Sequence, residues 1–314
     1  MTRRVVVSRV KTPAVKTRTV SVVYTPQRTP QVHLTPSNTK KIVVDQPPKG
    51  PAVKPRIVSH KHVLKEKKRK TKTVKHQGRE PTPESHGRIR SLRNVGLGKI
   101  LVIIANGPSI LEAKLEELKH HRIHTMMINR PFEPVWPTTY WSLYDAAQFR
   151  LNSHFWDHYG GICINSTSIG RQTDKSLQIK NIGGKHFSRD MTAGICIGMS
   201  STYGNMQIAH WMGYSHTYIF GVDMSKTAID GKYHHYGTNT AVDMNKRIAK
   251  FDNEAKYYDE GAKQLSDEER SKYTFCSSYL QYPFKDKFKH LDHRLAVPII
   301  LEHAESLSRP NDVR

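Results

Sequence analysis

Short apolar runs, separated by polar turns and by stretches of helical spacing, recur along the chain from Lys99 onward. The first of them, Leu101-Val102-Ile103-Ile104-Ala105, is apolar at every position, as a central parallel strand covered on both faces requires. Comparable runs predict strands over residues 99–105, 124–129, 139–144, 161–165, 178–182, 216–222 and 273–276. Helical patterns fill several of the gaps, at 109–120, 200–213 and 239–264; in the last, Met244, Ile248, Phe251, Ala255 and Tyr258 fall three and four residues apart. Alternation of this kind predicts an α/β domain over residues 96–314, a Rossmann-like, mostly parallel open sheet with helices on both faces.

The first 95 residues have a different texture. Val-rich stretches are broken by Thr-Pro at residues 12–13, 25–26, 29–30, 35–36 and 82–83, and so many prolines stop helices and spoil interior strands. With few large apolar side chains to offset chain entropy, residues 1–95 are expected to be a disordered or extended arm. Charge sharpens that division. Residues 1–97 hold 24 Lys and Arg against four acids, and thus carry most of the net charge of +23. The chain is a near-neutral domain with a basic arm, not a uniformly basic enzyme. The densest run contains Lys65, Lys67, Lys68, Arg69, Lys70 and Lys72, which fits a salt-sensitive contact with nucleic acid or an acidic assembly.

Cysteine usage and hydropathy narrow the setting. Cys163, Cys196 and Cys276 are widely spaced and odd in number, which argues for buried thiols in a reducing compartment and against a disulfide framework or zinc site. No apolar run reaches membrane-spanning length, and the N-terminus turns polar too early for a signal peptide. The expectation is a soluble, intracellular, cytoplasmic protein without a membrane span.

In a doubly wound sheet the ligand site lies beyond the carboxyl ends of the strands, so polar residues that follow apolar runs are the candidates for chemistry. Asn106, Gly107, Pro108 and Ser109 follow the first strand, and a proline and a serine suit a helix start whose free amides attract phosphate. Asn129 follows the second strand, Asp145 the third, and Asn165 and Ser166 the fourth. Neutral Asn and Ser side chains suit a base, a ribose or a phosphate. Ser200, Ser201 and Thr202 sit at the start of a predicted helix, and Asp223 ends a strand, where it could hold a ribose or a metal-bound water. In the loop before the long helix, His234 and His235 suit proton transfer, and Tyr236 can donate to a phosphate oxygen.

The order of these blocks resembles the family of 6-hydroxymethylpterin diphosphokinase-like proteins, which is similar in turn to bacterial sialyltransferases that use a cytidine-monophosphate-activated sugar. The resemblance runs from about residue 98 to 300. It rests on Ile104-Ala105-Asn106-Gly107-Pro108-Ser109, on Ser200-Ser201-Thr202, on Ala209-His210-Trp211-Met212-Gly213-Tyr214, on Ile219-Phe220-Gly221-Val222-Asp223, on His235-Tyr236 and on Phe275-Cys276-Ser277-Ser278. Ala105 stands where the sialyltransferases have glycine, and Asn129 precedes Arg130-Pro131 rather than an amide. The resemblance implies a transferase that binds a nucleotide or a nucleotide-sugar donor of the CMP-sugar kind. Asn106, Ser109, Asn129, Ser200 and Ser201 would contact the nucleotide, and His235, or His234 beside it, would be the general base. The implied alternative is a diphosphokinase, which would need Mg²⁺ held by Asp145 or Asp223. A third alternative is a non-catalytic binding module that the basic arm anchors to nucleic acid or an assembly.

Overall fold

The computed structural model describes residues 80–156, 158–169, 176–237 and 244–307. The elements are α1 (Pro83–Ser91), β1 (Ile100–Ile104), β2 (Ile123–Ile128), β3 (Tyr140–Leu143), α2 (Ala146–Leu151), α3 (Ser153–Trp156), β4 (Ile162–Ser166) and β5 (Ser176–Ile179). They continue with α4 (Ser201–Trp211), β6 (His216–Phe220), α5 (Met244–Gln264), α6 (Asp267–Ser271), β7 (Tyr273–Cys276), β8 (Lys289–Leu291) and α7 (His293–Ser306). The strands form one sheet in the order β5-β4-β3-β2-β1-β6-β7-β8, and every pairing is parallel. The expected Rossmann-like α/β sheet is therefore present.

β1 shows why its sequence is apolar throughout. Leu101, Ile103 and Ala105 enter one core with α1, α4 and α5 residues such as Ile89, Met206 and Tyr258. Ile100, Val102 and Ile104 enter the other, with Ala296, Val297 and Ile300 of α7. Strands buried on both faces lose the polar alternation of a half-exposed sheet. The chain walks outward from β1 to β5, returns to lay β6 against the other side of β1, and then continues to β8. The direction of winding thus reverses between β1 and β6, and a crevice opens there at the carboxyl ends of the strands.

Several boundaries differ from expectation. The helix foreseen over 109–120 is a pair of short 3-10 turns, Pro108–Glu112 and Leu115–Glu117, with Lys114 in a left-handed conformation between them. β5 lies at 176–179 rather than 178–182, and β8, an edge strand with an exposed Lys-His start, has no apolar run to announce it. The folded domain also begins earlier than residue 96. Thr82 caps α1 through its side-chain oxygen, Pro83 occupies the first helical turn, and Ile89 is fully buried. Ser85 fastens α1 to β5: its hydroxyl donates to Gln178 O at 3.1 Å and accepts from Gln178 N at 2.9 Å. Residues 1–79, with the expected arm and the Lys65–Lys72 run, lie outside the described residues, as does the expected start of the long helix at 239–243.

Candidate functional site

The loops after β1 and β6 meet at the reversal point. The Gly107 amide donates to Gly221 O at 2.9 Å, and a Cβ on Gly107 would lie 2.5 Å from that oxygen and closer still to the Asp223 carboxylate. Gly221, at φ +72°, passes so near Ala105 that a Cβ would sit 2.8 Å from its carbonyl oxygen. Only glycine permits both approaches. Asp223 then closes the junction: one carboxylate oxygen accepts the Ser109 amide at 2.9 Å and the other accepts the Ser277 hydroxyl at 2.6 Å.

This arrangement changes the reading of the first loop. The Ser109 amide, expected to be free for a phosphate, is already taken by Asp223, and Ser109 itself is fully buried behind Gly107 and Pro108. Asp223 is buried as a strut between loops, with both oxygens engaged inside the protein.

A cleft with about 1060 Å³ of empty space, part of it open to solvent, lies over this junction. Asn106, Gly107, Asn129, Asp145, Ser200, Ser201, Thr202, Asp223, His234 and Tyr236 all line it, so most of the residues singled out in the sequence converge. Asn129 is placed by its backbone. It adopts φ +57°, its amide donates to Ser142 O at 2.8 Å, and its carbonyl accepts the Trp141 indole at 2.9 Å. Holding a non-glycine residue in that conformation is a cost that clusters at functional sites. The side-chain oxygens of Asn106 and Asn129 are buried and meet no hydrogen-bond partner among the described residues.

The start of α4 faces the same cleft. Ser200 is its N-cap residue but makes no capping hydrogen bond; its hydroxyl pairs instead with the Tyr258 hydroxyl at 2.7 Å. The first amides of α4 therefore have neither an intrahelical nor a side-chain partner at the cap, which favours negative charge.

The loop 232–237 forms the opposite wall. It is pinned to the β1 loop by the His235 amide, which donates to Asn106 O at 2.9 Å. His234 stacks on Tyr236 with ring centroids 4.9 Å apart, and its Nε2 lies 3.3 Å from Arg247 Nη1. Burial, reinforced by Arg247, pushes the His234 pKa down to about 4, against a backbone hydrogen bond at Asn106 that raises it. His235 is likewise pushed down to about 4, first by burial and then by Arg130 and His234. Both imidazoles are therefore neutral at pH 7.

Sequence reasoning missed the contribution of α5. Arg247, Lys250, Phe251, Glu254 and Tyr258 all line the cleft. Arg247 lies 4.9 Å over Tyr233 and 5.0 Å over Phe251, and donates to Tyr233 O at 3.0 Å. Burial raises the Glu254 carboxyl to about 7, although Lys250 stands 3.5 Å away and opposes the shift. The signal was available: Arg247 and Glu254 share helical spacing with Phe251 and Tyr258, so a cation and a carboxylate interrupt an apolar stripe.

Other candidates fall elsewhere. Asn165 and Ser166 lie within β4 rather than beyond it, buried in register with Gln178 and Ile179, and do not line the cleft. Asp145 lies at the cleft wall but caps α2, accepting from the Ala147 and Gln148 amides at 2.7 and 3.3 Å. Among the described residues no group of three or more His, Cys, Asp or Glu side chains could hold a metal ion, and the three cysteines are free and buried. No described helix is long and apolar enough to cross a membrane. Comparison of the chain with protein-family models, curated proteins and solved structures finds no match.

Proposed function

We propose that the domain is a nucleotide-sugar-dependent transferase, a glycosyltransferase similar to the sialyltransferases that its motifs resemble. The observation that carries this reading is the convergence at the β1/β6 reversal of Asn106, Asn129, the uncapped start of α4 and the cations Lys232, Arg247 and Lys250. The amides suit a base and ribose, while the helix start and the cations suit the donor phosphate.

In this mechanism the acceptor oxygen forms a bond to the anomeric carbon as the bond from that carbon to the phosphate oxygen breaks. The electron pair leaves with the phosphate, beside Arg247 and Tyr236, and the proton of the acceptor hydroxyl passes to His235. Ser200 and Ser201 present the start of α4 to the donor. Ser109 and Asp223 act behind the site, by holding the loop that carries Asn106.

The diphosphokinase alternative asks Asp145 or Asp223 for Mg²⁺. Asp223 has both carboxylate oxygens engaged, by an amide and a hydroxyl, and Asp145 gives one oxygen to two backbone amides; among the described residues no group of three or more His, Cys, Asp or Glu side chains forms around either, so no step is routed through the ion. The basic residues before the domain are proposed to tether it to nucleic acid or another acidic assembly, on their charge alone. Turnover of an identified donor tests the catalytic reading: His235→Ala should lose about 100-fold or more in kcat. Activity within threefold of wild type removes the general-base role.

A further inference from the structure

A second cleft, with about 1040 Å³ of empty space, adjoins the first, and the two share Gln148 and Tyr236 as a common wall. That wall divides the histidine pair. His234 lines the first cleft and His235 the second. The His235 ring meets Phe132 edge-on at 5.3 Å, and its Nε2 has no hydrogen-bond partner among the described residues.

The rest of the second cleft is chemically distinct from the first. Phe132 and Phe155 supply aromatic walls, and Leu111 and Leu151 line it while 44% and 68% exposed. Large aliphatic side chains left to water around a concavity mark a binding surface. Arg130 and Glu133 are the lysine, arginine or carboxylate side chains on this lining; Arg130 lies 4.6 Å over the Tyr236 ring and makes no ion pair among the described residues, with Glu133 or with any other carboxylate.

We propose that this second cleft is the acceptor site and that it takes an acidic glycoside. A flat apolar face of the acceptor packs on Phe132 and Phe155, its carboxylate pairs with Arg130, and a sugar hydroxyl lies beside the His235 imidazole. The role of acceptor rests on the glycosyl-transfer reading, whereas the ligand class rests on this lining alone. Consecutive residues thus serve two substrates, with His234 facing the donor phosphate and His235 the attacking hydroxyl.

The test is calorimetric titration of the full chain with p-nitrophenyl β-D-glucuronide, with the uncharged p-nitrophenyl β-D-glucoside beside it, and separately with cytidine monophosphate. Wild type should bind the glucuronide, and the glucoside about tenfold more weakly or worse, the loss expected for one charge-assisted pair. Arg130→Ala should erase the difference between the two, and Leu151→Asp should weaken both, with cytidine monophosphate binding unchanged in either variant. Glucuronide binding that is absent, or that ignores both substitutions, overturns the acceptor site while leaving the donor reading intact. Glucuronide binding that obeys both substitutions, in a chain that binds no nucleotide, keeps the site and removes the transfer reading.

Discussion

The carboxylate of Asp223 accepts the backbone amide of Ser109 at 2.9 Å, joining the loop after β6 to the loop after β1 at the point where the sheet reverses its winding. The same carboxylate accepts the Ser277 hydroxyl and is almost wholly buried, so one side chain holds three loops. Asp223→Ala leaves an amide and a hydroxyl without their acceptor, at a cost of about 2–4 kcal/mol. For a domain of this size that corresponds to a melting temperature lower by roughly 5–15 °C. A loss below about 2 °C in differential scanning calorimetry contradicts the strut.

Acid should destabilise the domain through its histidines. His234 and His235 are lowered to about 4, and His216, buried against His303 and Lys289, to about 3. The unfolded chain takes up protons near pH 6.5 that the folded chain refuses, so stability is full above that pH and falls as pH drops toward 4. His234 and His235 are each partly screened by water and contribute about 1 kcal/mol at pH 5. Urea unfolding at pH 5 and pH 7 should show a smaller pH difference in the double variant His234→Gln, His235→Gln than in wild type. An unchanged difference contradicts the assignment.

Glu254 acts in the opposite sense. Its carboxyl is raised to about 7 by burial, so the folded state holds a proton that the unfolded chain releases near pH 4.5, and stability falls as pH rises between those values. Glu254→Gln preserves the size of the side chain and removes this ionisation. Stability at pH 8 should rise by about 1–3 kcal/mol, with little change at pH 4. Equal effects at both pH values would show that the packing of Glu254, not its charge, decides its contribution.

The β-sheet core was legible because β1 is apolar at every position, as a strand buried on both faces needs, and because β2, β6 and β7 end in apolar runs, Met126-Met127-Ile128, Tyr218-Ile219-Phe220 and Phe275-Cys276. α1 was not, because Thr82-Pro83 repeats the dipeptide found throughout the basic segment. What distinguishes it is Ile89, whose burial depends on partners distant in sequence. At the site, residues that end strands could be found one at a time, but their division between two clefts could not. His234 and His235 are adjacent in the chain, and only the turn that hydrogen-bonds His235 to Asn106 turns them toward different cavities. Asp223 was identified as a ligand candidate because sequence cannot reveal that its acceptor capacity is spent on Ser109 and Ser277.

The start of α1 also fixes how the basic segment should be tested. Removing residues 1–79 leaves α1 and its contacts with β5 in place, whereas removing 1–95 takes away buried Ile89 and Leu92. The chain beginning at residue 80 should melt within about 2 °C of the full chain and lose salt-sensitive binding to a DNA or RNA duplex. Unchanged nucleic-acid affinity removes the tether from the account.

The central claim is that the cleft over β1 and β6 binds a nucleotide. Thermal unfolding with a panel of nucleoside mono- and diphosphates and their sugar conjugates, for wild type and for Arg247→Ala, tests it directly. At a hundredfold excess over Kd, a ligand of the folded state adds about 2.7 kcal/mol, a rise of roughly 5–10 °C. At least one nucleotide should give that rise in wild type and much less in Arg247→Ala. A panel that leaves the melting temperature of wild type unmoved contradicts the claim.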